Sequence, residues 1–179
     1  MAEEVSDKSI KRLLEALRMN YDFIIVDTSS YLTEVSLAIL DVADRVVLVT
    51  QQSLPCLKSI KRFFDLSDNL EYESDKVWLI VNRASTKQGI QVKRIGDALK
   101  RPIIVTIPED IIANVAADQG VPLVSGGNKN RPISLAIIKL SEHIVQELAS
   151  DKPTQAAEVQ EPKQTGGLFG KLFGKRVRV

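Results

Sequence analysis

The run Tyr21-Asp22-Phe23-Ile24-Ile25-Val26-Asp27-Thr28-Ser29-Ser30-Tyr31-Leu32 sets the reading of the whole chain. Its core of Phe, Ile, Ile and Val is too short for a free-standing helix and rich in β-branched residues, which predicts a strand buried on both faces. The run ends on a carboxylate. Ligands of open α/β sheets gather outside the carboxyl ends of the strands, so Asp27 is expected where a carboxylate holds a metal-bound water or a loop that senses phosphate. Four apolar residues followed by Asp recur in many α/β proteins, so the rest of the chain must decide between that role and a plain strand end.

Working outward, Ile10, Leu13, Leu14 and Leu17 fall at i, i+3, i+4 and i+7 with Ser6 ahead of them as N-cap, predicting an amphipathic helix over about residues 6–19. Beyond the Asp27 loop, residues 34–42 carry Val35, Leu37, Ala38, Ile39 and Leu40 as a second helix, and Arg45-Val46-Val47-Leu48-Val49-Thr50 follows as a second buried strand. Pro55 opens a helix in its first turn, where a missing N–H costs nothing, and Leu57, Ile60, Phe63 and Phe64 give it a core face. Lys76 to Arg83 reads as a third strand with Trp78 in the core, residues 92–99 as a short helix, and Pro102 to Pro108 as a fourth strand bounded by proline. A helix over 111–119 stops at Gly120, and the last helix, over 132–149, has Ile133, Ile137, Leu140, Ile144 and Leu148 on one face with His143 off it, in solvent. Strands separated by helices predict an α/β fold, a parallel sheet with flanking helices and right-handed crossovers.

With 24 basic and 23 acidic residues, the chain has no global field to draw nucleic acid, and no specific nucleic-acid partner is expected. The single cysteine, Cys56, has no partner for an internal disulfide and no metal-type ligands beside it, so it reads as a small apolar side chain in a reducing compartment. The acidic start Met1-Ala2-Glu3-Glu4-Val5 is not that of a signal peptide, and no apolar run approaches a membrane span, so a cytoplasmic location is expected.

Each predicted strand ends in polar residues: Asp27-Thr28, Thr50-Gln51-Gln52, Asn82-Arg83, and Pro108-Glu109-Asp110. In a parallel sheet these ends lie on one side, so they converge on a common ligand. An Asn amide offers both a donor and an acceptor, which matches the edge of adenine, and a proline offers an apolar wall to a base. Arg83 has two readings, a base-stacking cation and a surface charge.

Taken in order, Tyr21 to Leu32, Asp41 to Val49, Val81-Asn82-Arg83, Ile107-Pro108-Glu109-Asp110 and Asn114 to Pro122 resemble the second half of a MinD/ParA-type ATPase, and within that superfamily the CpaE/TadZ branch of pilus-assembly localisation proteins. The similarity covers about residues 6–149. It implies a P-loop NTPase fold of the SIMIBI type, ATP and Mg2+ as cofactors, and a homodimer formed with ATP. It further implies that Asp27 belongs to the Walker B and switch II region, acting in catalysis and near Mg2+ through water. Asn82, Arg83, Pro108, Glu109 and Asp110 are then the residues around the nucleotide base. Ser29-Ser30 departs from the proline that many relatives carry after the aspartate.

The family's phosphate loop, Lys-Gly-Gly-x-Gly-Lys-Thr/Ser, occurs nowhere in the 179 residues, because Gly170-Lys171 and Gly174-Lys175 lack the earlier glycine spacing and a preceding strand. The expectation is therefore the C-terminal part of such an ATPase, over 1–149, without the strand that carries the phosphate loop, and with little or no ATP hydrolysis alone. Two other readings stand beside a pilus or secretion machine as its partner. One is a non-enzymatic localisation adaptor that has lost nucleotide binding, and the other a septum-placement or flagellar-number regulator.

Residues 150–165 turn to Asp, Lys, Pro, Gln and Glu and read as a disordered linker. Residues 166–179 then repeat Leu-Phe-Gly-Lys, and helical spacing puts Leu168, Phe169, Leu172 and Phe173 on one side with Lys171 and Lys175 off it. That is the layout of an interfacial anchor, which predicts peripheral attachment at the inner face of the membrane, marginal for one tail and strengthened by avidity in a dimer. A groove on a protein partner is the competing seat for the same residues.

Overall fold

The computed structural model describes residues 6–87 and 89–150. Element order is α1 (Asp7–Arg18), α2 (Glu34–Val42), β1 (Val46–Thr50), α3 (Leu54–Asn69), β2 (Val77–Ala84), α4 (Val92–Leu99), β3 (Ile103–Pro108), α5 (Ile112–Asp118), a 3-10 turn (Gly126–Asn128) and α6 (Pro132–Ser150). Short polar side chains start the first three helices: Ser6, Thr33 and Ser53 each accept a backbone N–H three residues on, from Ser9, Ser36 and Cys56. Pro55 lies in the first turn of α3, and Gly120, at φ +64, takes the left-handed position just past α5.

The three strands pair in parallel in the order β1-β2-β3, so consecutive strands are neighbours and the crossover helices α3 and α4 lie on one face. Side chains alternate across a strand, which sends Val77, Leu79 and Val81 of β2 to that face with Val46, Ile60, Phe64 and Ile95. Trp78 and Ile80 point to the other face, where the Trp78 ring meets the His143 ring of α6 at 4.7 Å between centroids. The strand β2, buried along five successive residues, is the spine of the domain. Trp78 is core, as its place in a strand predicts, but His143 is half-buried against it rather than in solvent, because a ring on the flank of the α6 stripe reaches the indole.

The sheet corrects the sequence reading at its first strand. Residues 22–28 form no strand, and Phe23, Val26 and above all Ile25, 88% exposed, face solvent. A strand is held by its ladder, and among the described residues no neighbour pairs with this run, so the observed sheet has three strands, not four. Its apolar composition marked a strand without showing that a partner strand is needed to form and bury one. Upstream, α1 packs on α2, and the Arg18 guanidinium donates to the Val42 carbonyl at 2.7 Å and to the Asp44 carboxylate at 3.0 Å.

Candidate functional site

Two irregularities in the β2–β3 pairing shape the carboxyl edge of the sheet. Leu79 faces Ile103 but Ile80 faces Val105, and Val81 faces Thr106 but Ala84 faces Pro108. The second step sets Asn82 and Arg83 against the single residue between Thr106 and Pro108, a bulge that re-aims side chains at the strand end. Arg83 sits there at φ +51, a conformation that L-residues adopt at a cost of roughly 1–2 kcal/mol. The Asn82 side-chain oxygen holds it by accepting the Arg83 backbone N–H at 2.9 Å, which leaves the amide nitrogen of Asn82 as a donor at the edge.

The turn aims the Arg83 guanidinium across the sheet, where it pairs with the Glu109 carboxylate at 3.3 Å, while the Glu109 N–H donates to the Ala84 carbonyl at 3.0 Å. Both side chains of this pair are more than half exposed, so it contributes little to stability and stands open to solvent. Next to it, the Asp110 carboxylate accepts the Ile112 N–H at 3.0 Å and a two-pronged bond from Arg131 at 2.9 and 3.0 Å. The Ile112 hydrogen bond, assisted by the Arg131 charge and opposed by desolvation, holds the Asp110 carboxyl below its usual range. Asp110 thereby starts α5 and ties the loop before α6 to the end of β3.

From the β1 side the edge is closed by Gln52. Its Nε2 donates to the carbonyls of Ser85 at 3.1 Å and Ile90 at 2.9 Å, its Oε1 accepts the Ser85 N–H, and its own carbonyl accepts the Ile90 N–H at 3.2 Å. Gly89, at φ +80, lies so close that a Cβ there would stand 2.6 Å from the Gln52 carbonyl oxygen. The loop from β2 to α4 is therefore clamped to the loop after β1. Asn82, Arg83, Pro108, Glu109 and Asp110 do converge at one strand edge. Asp27 is exposed on the unpaired run, and strand pairing does not bring it to that edge. Among the described residues no group of three potential metal ligands occurs. Sequence reasoning missed Gln52 as a clamp and Arg131 as the partner of Asp110. Gly89 is the one local signal for the Gln52 contact, because a glycine in a loop permits a close backbone approach, and no local pattern marks Arg131. The tail residues Leu168, Phe169, Lys171, Leu172, Phe173 and Lys175 lie outside the described residues, and among the described residues no helix is long and apolar enough to cross a membrane.

Comparison with known proteins fits this geometry. A family model described as an AAA domain matches residues 1–77. The septum site-determining protein MinD of Thermotoga maritima is 30% identical over 133 residues, covering 70% of this chain and 48% of that protein. Among solved structures, the MinC:MinD cell division complex of Aquifex aeolicus aligns with TM-score 0.71 at 23% identity, over 79% of this chain and 60% of that one. MinD of Pyrococcus horikoshii, complexed with Mg-ADP, aligns with TM-score 0.69 at 22% identity, over 83% and 60%. The chain is similar to MinD proteins and spans about half the length of the curated MinD relative. Its parallel sheet with flanking helices matches the P-loop NTPase fold of the MinD structures. These likenesses support the resemblance read from the strand-end residues as far as MinD and ParA proteins, and not as far as the CpaE/TadZ branch.

Proposed function

We propose that this chain supplies the nucleobase side of a CpaE/TadZ-like ATPase that positions pilus or secretion machinery at the inner face of the membrane, through ATP-dependent dimerisation and its basic tail. The observation that supports this is the sheet edge where a strained Arg83, the free amide donor of Asn82, Pro108 and the Glu109 carboxylate stand together at the ends of β2 and β3. Those groups fit the base end of a nucleotide: a donor for a ring nitrogen, a guanidinium able to stack, and an apolar wall. The phosphate end does not fit the described residues, which hold neither a glycine-rich anion loop nor a cluster of metal ligands beside Asp27, and no step is derived through Mg2+ or the phosphates. The Mg-ADP of the Pyrococcus MinD and the MinC partner of the Aquifex MinD are properties of those proteins, and they favour a nucleotide-gated partner role for this one.

A non-enzymatic localisation adaptor that does not bind nucleotide is the second reading. Calorimetric titration of the chain with adenosine, ATP and GTP separates the two. The base-site reading expects weak binding of adenosine and ATP with comparable affinity, poor binding of GTP, and loss of both adenine ligands in Arg83→Glu. Heats indistinguishable from buffer for all three at millimolar concentration would refute the base site and favour the adaptor.

A further inference from the structure

The helices α3 and α4 cover one face of the sheet and leave a cleft of about 410 Å³ between their C-terminal ends. Lys61, Phe64, Asp65 and Asp68 line it from α3, and residues 98–101 line it from the end of α4. Arg101 leads directly into β3, so the cleft opens at the amino end of the strands, opposite the edge that carries Asn82 and Arg83. One wall is fixed. The Arg101 guanidinium donates to the Asp68 carboxylate at 2.7 Å and lies 4.8 Å from the centre of the Phe64 ring. Lys100 turns the chain at φ +52, its backbone N–H closing α4 on the Gly96 carbonyl. That left-handed position usually carries glycine, so a lysine there keeps a charge at the mouth of the cleft at some cost in strain.

We propose that this cleft docks an acidic protein segment, with an apolar side chain seated between α3 and α4 and carboxylates paired to Lys61 and Lys100. Charge complementarity carries it. Over α3, α4 and the two residues after α4, seven basic side chains stand against three acidic ones, in a chain of 24 basic and 23 acidic residues. Lys61 and Lys100 are exposed on the two sides of the cleft, Lys58 and Arg94 are exposed one turn before Lys61 and Ala98, and none of the four forms an ion pair with a described residue. Asp68 is already held by Arg101, which leaves Asp65 as the lining carboxylate without an ion pair. A nucleic-acid duplex presents an unbroken row of phosphates, whereas here Asp65 and Asp97 stand exposed among the cations. A segment that alternates carboxylates with apolar groups fits that layout, since rim charges select the partner and an apolar anchor between the helices supplies affinity. The docking does not rest on nucleotide binding.

Fluorescence anisotropy tests the site, with a fluorescein-labelled peptide Glu-Glu-Leu-Glu-Glu-Leu-Leu-Glu-Glu titrated by the full chain at about 50 mM salt, where exposed charges are weakly screened. The expected result is saturable binding that weakens at least about tenfold in the double variant Lys61→Glu, Lys100→Glu, and by a similar factor for the same peptide with serine in place of leucine. No saturation up to about 1 mM protein, or equal binding by the double variant, overturns the proposal. Equal binding of the serine peptide overturns it too, because charge alone would then suffice. A DNA duplex that displaces the peptide and binds more tightly gives the face to nucleic acid, which also overturns it. Both substitutions replace exposed side chains without ion pairs, and thermal melting checks the fold of the variant. The serine peptide leaves the protein unchanged, so its result does not depend on the stability of the variant.

Discussion

Replacing Gln52 by Leu removes one side chain's three hydrogen bonds from the edge that forms the candidate base site. Leu has nearly the same volume and no polar atoms, so the Ser85 N–H and the carbonyls of Ser85 and Ile90 lose their partner without a gross change in packing. A net loss of about 0.5–1.5 kcal/mol per hydrogen bond gives roughly 1.5–4.5 kcal/mol, and the half-buried setting, where water recovers part of the loss, places the expected value near 2 kcal/mol. Against the roughly 5–15 kcal/mol that holds a typical domain folded, that is a clear shift of the urea midpoint at unchanged slope. Hydrogen exchange should show the Ser85 and Ile90 amides losing protection while the β2 amides of Val77 to Val81 keep theirs. Glu at this position is the sharper probe: it still accepts from Ser85 but turns a second oxygen toward two carbonyls, so it should be at least as harmful as Leu near neutral pH. A destabilisation below about 0.5 kcal/mol in Gln52→Leu, or a Glu variant as stable as wild type, would show that the clamp does not hold the edge.

Three further outcomes are expected. Ile25→Ala should change stability by less than about 0.5 kcal/mol in urea unfolding, because the side chain is 88% exposed; a loss of several kcal/mol would mean that the run is buried in solution. The depressed Asp110 carboxyl contributes stability above the ordinary carboxylate range that is lost as pH falls through its folded pKa. Melting temperatures taken between pH 6 and pH 2 (about the range that spans carboxylate titration) should fall less steeply in Asp110→Asn than in wild type, and parallel curves would refute the Ile112 and Arg131 contacts. Tyr72, pushed up to about 12 by burial and by its hydrogen bond to Asp41, favours the folded state below its ordinary value of 10.0, and that contribution fades as pH rises from there toward about 12. Alkaline unfolding followed by circular dichroism should therefore be steeper in wild type than in Tyr72→Phe.

What the sequence made legible is what depends on local periodicity. The caps Ser6 and Pro55, the stripes of α1, α3 and α6, and the β-branched runs of β1, β2 and β3 are each decided within a few residues, and each element forms within about two residues of its expected bounds. Residues 22–28 failed because burial of an apolar run depends on a neighbouring strand, a fact that no window around Ile25 contains. The site residues were found at strand ends because topology makes those positions converge. Gln52 was among the strand-end residues, but its clamp role, like the Arg131 bond to Asp110, escaped because these are contacts across 33 and 21 positions, made by residue types that are usually solvated.

The two halves of the proposed nucleotide site are held in different ways, and the difference sets what this chain can bind. On the base side, the β2–β3 ladder, the bulge at Asn82 and Arg83, the Gln52 clamp and the Asp110 bridge to Arg131 fix the backbone before any ligand arrives. Asp27 lies exposed on a run that pairs with no strand among the described residues, so the ladder that fixes the base side does not extend to it. Under the proposed base site, adenosine and ATP are therefore expected to bind alike. A segment that paired with residues 22–28 and fixed Asp27 in advance is expected to raise affinity for ATP over adenosine without touching the base edge.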